Sequence, residues 1–334
     1  MTRLNLTVLL LGTILASACA VAADEPKAEL RVGILGLDAH GLPFTQLLNT
    51  ADKPEELAGA RVVVAWPGGS PDVETSQTIL ARSVEPVRAL GVEIVDSVED
   101  VLAKCDFVMI LSIDGRPHLE LARKTIAARK PFFIDKPVAV SLADTVRVFN
   151  LAREAGVACF SSSSLRYSPG IFGMRNDPAV GNVLGCDAYG RNAPLEPSHP
   201  DLFYYGIHST EMLFTIMGTG CVSVSRTKTD TTDFVVGTWK DGRIGTFRGI
   251  REGAGPFGAM VFGTKGVAPA GKFEGYAPLL VEIVKFFKTG EPPVAEAETL
   301  EIYAFMEAAD ESKRQAGVPV TLESVLEKAR AATQ

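Results

Sequence analysis

Six short apolar runs between Arg31 and Ser162, separated by amphipathic stretches, restrict the fold of this chain more than any other feature. They cover residues 32–35, 62–66, 92–95, 107–111, 132–134 and 157–160. They lack the clean apolar–polar alternation of a half-exposed strand, as expected of parallel strands buried on both faces. The segments between them, such as 73–90 and 117–128, read as helices. Ser141-Leu142-Ala143-Asp144 is a capping-box start, and Gly156 is a fitting stop. The pattern predicts an α/β class with a Rossmann-type, doubly wound parallel sheet over residues 30–162.

Beyond Leu165 the texture changes. Residues 183–189, 222–228, 234–239, 244–248 and 259–263 read as strands, with Lys240-Asp241-Gly242 as a hairpin turn and one helix over 207–217. Two closing helices, 278–288 and 298–316, are separated by Glu291-Pro292-Pro293. This predicts a C-terminal α+β domain over 163–330 with a mostly antiparallel open sheet, its closing helices free to pack back on the first domain. Such a sheet often pairs with another subunit, so a homo-oligomer through it is expected.

A length of 334 residues suits two domains, and a net charge of −7 excludes nucleic acid and anionic membranes as partners. Arg3, an apolar run over 6–16 too short to span a bilayer, and Ala20-Val21-Ala22 read as a Sec-type signal peptide over 1–22. The mature protein is then periplasmic or extracellular, with no membrane attachment. A lipoprotein anchor at Cys19 is disfavoured because Ala16 stands where leucine is usual. Cys105, Cys159, Cys186 and Cys221 are too few for a disulfide framework, and no cysteine or histidine spacing suggests a metal.

The chemistry sits at strand ends. The loop Gly36-Leu37-Asp38-Ala39-His40-Gly41 has the outer glycines of a dinucleotide-binding turn, but Asp38 stands at the middle glycine, where a carboxylate would crowd and repel a pyrophosphate. The acid expected at the end of the second strand is replaced by Trp66-Pro67-Gly68-Gly69. Ser112 and His118 belong to the loop after the fourth strand; His118 either faces the crevice or satisfies local backbone. Asp135 and Lys136 end the fifth strand, where a lysine of lowered pKa could hold an oxygen or shuttle a proton. Arg166 and Tyr167 follow the sixth strand, and Arg166 either clasps a substrate group or ties the two domains. His208 lies near a helix start and suits a general base, with Glu211 three residues on to orient it or share a metal.

In this order, these residues resemble the Gfo/Idh/MocA oxidoreductase family, from about Arg31 to Leu322. The resemblance rests on the first-strand loop, Pro117-His118-Leu119-Glu120-Leu121-Ala122, Asp135-Lys136-Pro137, Arg166-Tyr167, Gly206-Ile207-His208 and Phe262-Gly263-Thr264-Lys265-Gly266. It implies NAD or NADP as cofactor, touched by Gly36, Leu37, Asp38, His40, Gly41, Ser112, His118, Asp135 and Lys136. It further implies Lys136, His208 and Tyr204 as catalytic residues, Tyr204 standing where the family has an aspartate, and Arg166, Tyr167 and Glu211 near the substrate. The implied reaction is hydride transfer between a sugar or polyol carbinol carbon and the nicotinamide. The alternative is an inactive exported carbohydrate-binding protein descended from such an enzyme. A weaker one is a metal-assisted isomerase or hydrolase using His199, His208 and Glu211.

Overall fold

The computed structural model describes residues 29–193 and 196–333. The expected signal peptide, with Cys19, lies outside them.

The first domain alternates strand and helix: β1 (Leu30–Leu35), α1 (Gly41–Asn49), β2 (Ala60–Trp66), α2 (Glu74–Ala89), β3 (Glu93–Ile94), α3 (Val98–Lys104), β4 (Phe107–Ile110), α4 (His118–Ala127), β5 (Phe132–Ile134), α5 (Leu142–Ala155) and β6 (Cys159–Phe160). The strands form one parallel sheet in the order β3-β2-β1-β4-β5-β6. The order reverses between β1 and β4, which opens a crevice at their carboxyl ends. The expected runs at 92–95 and 157–160 shrink to two paired residues each, because β3 and β6 are the sheet's edges and pair on one side only. Helix α5 starts as its sequence requires: Ser141 Oγ accepts the Asp144 N–H at 3.0 Å, and Gly156 closes the helix at φ +64°.

A second set of elements follows: α6 (Pro169–Phe172), β7 (Val183–Arg191), α7 (Gly206–Met217), β8 (Cys221–Lys228), β9 (Thr232–Trp239), β10 (Ile244–Ile250), β11 (Gly258–Gly263), β12 (Val267–Pro269), α8 (Ala277–Thr289), α9 (Glu296–Arg314), β13 (Val320–Thr321) and α10 (Leu322–Ala331). Seven strands order as β12-β11-β7-β10-β9-β8-β13, antiparallel except for the β7–β10 pair. Helices α7 and α9 cover one face, where Phe214, Phe305 and Trp239 pack together. The opposite face leaves Leu184, Ile244, Met260 and Phe262 exposed. Two closing helices were expected and there are three; α10 buries Leu322, Val325 and Ala329, an apolar stripe short enough to be overlooked. The four cysteines among the described residues are free thiols.

Helix α8 leaves the second domain and packs on the first. Its Leu280, Ile283, Phe286 and Phe287 share a core with Ile34, Phe44 and Phe160. The Phe287 and Phe107 rings stack at 4.7 Å, and Phe286 meets Phe160 edge-on at 5.1 Å.

Candidate active site

The loop leaving β1 is shaped by its outer glycines. Gly36 holds φ +101°, and a Cβ on it would sit 2.7 Å from the Ser112 nitrogen, so only glycine lets this loop lie against the end of β4. A Cβ on Gly41 would strike Leu37 Cδ2 at 2.7 Å, so glycine there sets how closely α1 begins to β1. Between them Asp38 behaves differently from expectation. Its carboxylate is fully buried and turned into the protein, where it accepts the Ser76 hydroxyl at 2.5 Å and the Ile113 N–H at 3.4 Å. Burial raises its pKa, and the Ser76 hydrogen bond opposes that shift. Asp38 therefore ties the loop to α2 and to the end of β4 instead of fronting a ligand. Asp38→Ala should lower stability by about 1–3 kcal/mol, because it orphans a buried hydroxyl and an amide, whereas Asp38→Asn should cost less. Urea unfolding of the two variants checks this; equal midpoints with the parent would show the clasp to be idle.

The half-buried part of the loop, Ala39 and His40, leads into the first turn of α1, which has no side-chain cap. These residues line a cavity of about 470 Å³, and so do Lys136, Tyr205 and His208. That volume lies in the usual small-molecule range of about 300–1,000 Å³. His40 Nδ1 meets Asp135 Oδ2 at 2.5 Å, and its ring stacks on Phe44 at 5.1 Å. Asp135 is buried; burial resists its ionisation, but His40 and Lys136 prevail and hold its pKa below the usual carboxylate value. Asp135 thus orients His40 from behind and does not face the cavity.

Lys136 is 7% exposed, and among the described residues its ammonium has no hydrogen-bond or ion-pair partner. It lies over the Tyr205 ring at 5.6 Å. Burial lowers its pKa, partly offset by Asp135. Across the cavity, His208 in the first turn of α7 shares a 2.8 Å hydrogen bond between Nδ1 and Ser163 Oγ. With Nδ1–H donating, Nε2 keeps its lone pair. Burial, then the Lys136 and His40 charges, depress the His208 pKa well below 6.5, so the ring is unprotonated at neutral pH.

Several expected contacts are instead support beneath the cavity. Glu211 is buried and accepts from Ser162 Oγ at 2.6 Å, Ser163 N at 2.9 Å and Arg166 Nε at 2.8 Å. Arg166 also pairs with Glu298 at 2.7 Å, so it ties α7 and α9 to the loop after β6 and stands outside the cavity lining. Tyr167 is buried against Phe172, outside the cavity lining. His118 is fully buried, with Nδ1 2.8 Å from the Pro137 carbonyl and Nε2 3.0 Å from that of Ser112; it joins the loops after β4 and β5 and touches no ligand space. Leu37 is buried core, whereas Ser112 keeps a place beside ligand space, lining a second crevice between the loops after β2 and β4. Tyr204 is also displaced from its expected role. It is 2% exposed, packs on His199 at 5.0 Å, and burial pushes its pKa up to about 12. Its neighbour Tyr205 takes the place beside Lys136. No group of three or more metal-ligating side chains occurs among the described residues.

The residues present fit a dinucleotide. The uncapped start of α1 offers backbone N–H groups to a phosphate, the cavity carries a buried ammonium with no polar partner among the described residues, and a second crevice lies between the loops after β2 and β4. Residues 30–163 match the model of an oxidoreductase family with an NAD-binding Rossmann fold. The first domain belongs to the Gfo/Idh/MocA family. The chain is similar to two inositol 2-dehydrogenases. One, from Gluconacetobacter diazotrophicus, is 27% identical over 51% of this chain and 48% of its own length; the other, from Paracoccus denitrificans, is 29% identical over 47% and 43%. The matched stretch thus spans a little under half of these curated relatives. A crystal structure of scyllo-inositol dehydrogenase from Lactobacillus casei with bound NAD(H) and scyllo-inositol superposes with a TM-score of 0.71 over 88% of this chain and 99% of that one. At 14% identity that likeness shows the fold alone. The Gfo/Idh/MocA domain supplies His40 and Lys136 to the cavity, while the second domain brings Tyr205, His208 and Phe257. Tyr276 and Phe273, in the approach to α8, complete its wall; as isolated aromatics in loops they carry no pattern in the sequence.

Proposed function

We propose that this chain is an NAD(P)-dependent dehydrogenase acting on a carbinol carbon of a sugar or polyol. The observation that carries the reading is the meeting of Lys136 and His208 in one cavity at the uncapped start of α1. Lys136, desolvated and unpaired, would hold and polarise the substrate oxygen. His208, neutral and oriented by Ser163, would take the hydroxyl proton on Nε2. Tyr205, Tyr276 and Phe257 offer flat apolar walls suited to the C–H faces of a ring. The hydride would pass to the nicotinamide, which is the chemistry the cofactor supplies when bound. The exposed apolar face of the second sheet completes the proposal as the surface on which two copies pair.

An exported enzyme of this kind must keep its dinucleotide through many turnovers. The test is therefore to denature the purified protein, identify any released NAD(H) or NADP(H) by mass spectrometry, and then assay polyols for nicotinamide reduction. Released cofactor with polyol-dependent reduction is the expected result. A protein that neither releases nor binds dinucleotide yet binds sugars would be a carbohydrate-binding protein instead.

The pH profile follows from His208. The reactive form is the neutral ring, so kcat/KM for oxidation should fall as pH drops through the lowered pKa of His208. The acid limb should lie below the ordinary imidazole value of 6.5, and it should vanish in His208→Gln along with most of the rate. An acid limb centred at or above 6.5 would remove His208 as the base.

A further inference from the structure

The loops that follow β2 and β4 enclose a second cavity of about 390 Å³. In a sheet of this order a dinucleotide laid across β1 places its adenosine on the β2 side. The usual acid at the end of β2 is absent, since β2 ends at Trp66 and runs into Pro67. The charge found here comes from elsewhere. Asp72, in the loop before α2, and Asp114, in the loop after β4, both line the cavity. Asp114 is buried and committed, accepting Ser70 Oγ at 2.6 Å and Arg116 Nε at 2.8 Å. The Asp72 side chain is 64% exposed and touches the same guanidinium through Nη1 at 2.7 Å and Nη2 at 2.8 Å. Arg116 is the one cation among the residues lining this cavity, and both carboxylates already hold it.

Resting on the dehydrogenase reading, we propose that Asp72 sets the cofactor preference of this chain, favouring NAD over NADP. Two carboxylates against one guanidinium leave the cavity with a net charge of −1, which opposes a dianionic 2′-phosphate. A free ribose hydroxyl, in contrast, finds an acceptor in Asp72. Arg116 is the group that would otherwise meet a 2′-phosphate by its fork of N–H donors, and Asp72 withholds it.

The test is a binding titration that needs no turnover. NADH and NADPH are titrated separately into the nucleotide-stripped full-length protein, and the change in nicotinamide emission is followed. The expected result is at least about tenfold tighter binding of NADH, falling to threefold or less in Asp72→Ser as Arg116 is released. Asp72→Ala, at the same exposed position, serves as a second variant. Equal binding of the two cofactors by the parent protein, or a ratio unchanged in both variants, overturns this assignment and leaves the dehydrogenase reading intact. Failure of both cofactors to bind overturns the dehydrogenase reading, and the preference with it.

Discussion

Lys136→Met is expected to lower kcat for polyol oxidation by about 10²–10⁴-fold, equivalent to about 2.7–5.4 kcal/mol of barrier. The folded protein should not suffer. The ammonium is nearly buried with no ion-pair partner among the described residues, so replacing it with an apolar side chain of similar length removes a desolvation cost that offsets the lost attraction to buried Asp135. A melting temperature close to the parent's, measured with the loss of turnover, is the expected pair of results. Lys136→Arg should not rescue activity, because a planar fork does not present the same point charge at the end of β5. Turnover within threefold of the parent would take Lys136 out of the reaction.

The second large effect lies below the cavity. Glu211→Ala should destabilise the protein by about 3–5 kcal/mol, the range for removing one partner of a buried ion pair. Glu211 holds the Arg166 guanidinium, the Ser163 amide and the Ser162 hydroxyl together, and Arg166 Nη2 already lacks a partner. Glu211→Gln should recover part of the loss, since an amide oxygen can still accept from Ser163. Urea unfolding reads both values; a loss under 1 kcal/mol for the alanine variant would show that Glu298 alone suffices for Arg166. The same variant should also weaken catalysis, because Ser163 orients His208.

The first sheet was legible in the sequence because strands buried on both faces leave continuous apolar runs, and Ser141 and Gly156 announce their helix by well-understood caps. The cavity was only partly legible. Lys136 and His208 could be placed, since both sit beside chain features with a fixed geometry: a strand end and a helix start. Direction was harder. Spacing locates Asp38 in a turn, but not which wall its carboxylate faces, and only the contact with Ser76 on α2 decides it. Tyr204 and Tyr205 are adjacent, so a single step of backbone rotation before α7 settles which ring reaches Lys136. Arg166 and Glu211 are 45 residues apart and meet only through the fold, so neither betrays that it is occupied by the other. His40 and Asp135, 95 residues apart, are joined in the same way.

The return of α8 onto the first sheet means that the boundary drawn at residue 162 is not a line along which the molecule can be cut. A fragment ending there would carry a naked patch around Ile34, Phe44 and Phe160, which in the intact chain is sheltered by residues more than a hundred positions downstream. The nucleotide half can thus reach its final form only after the ribosome has delivered most of the other half.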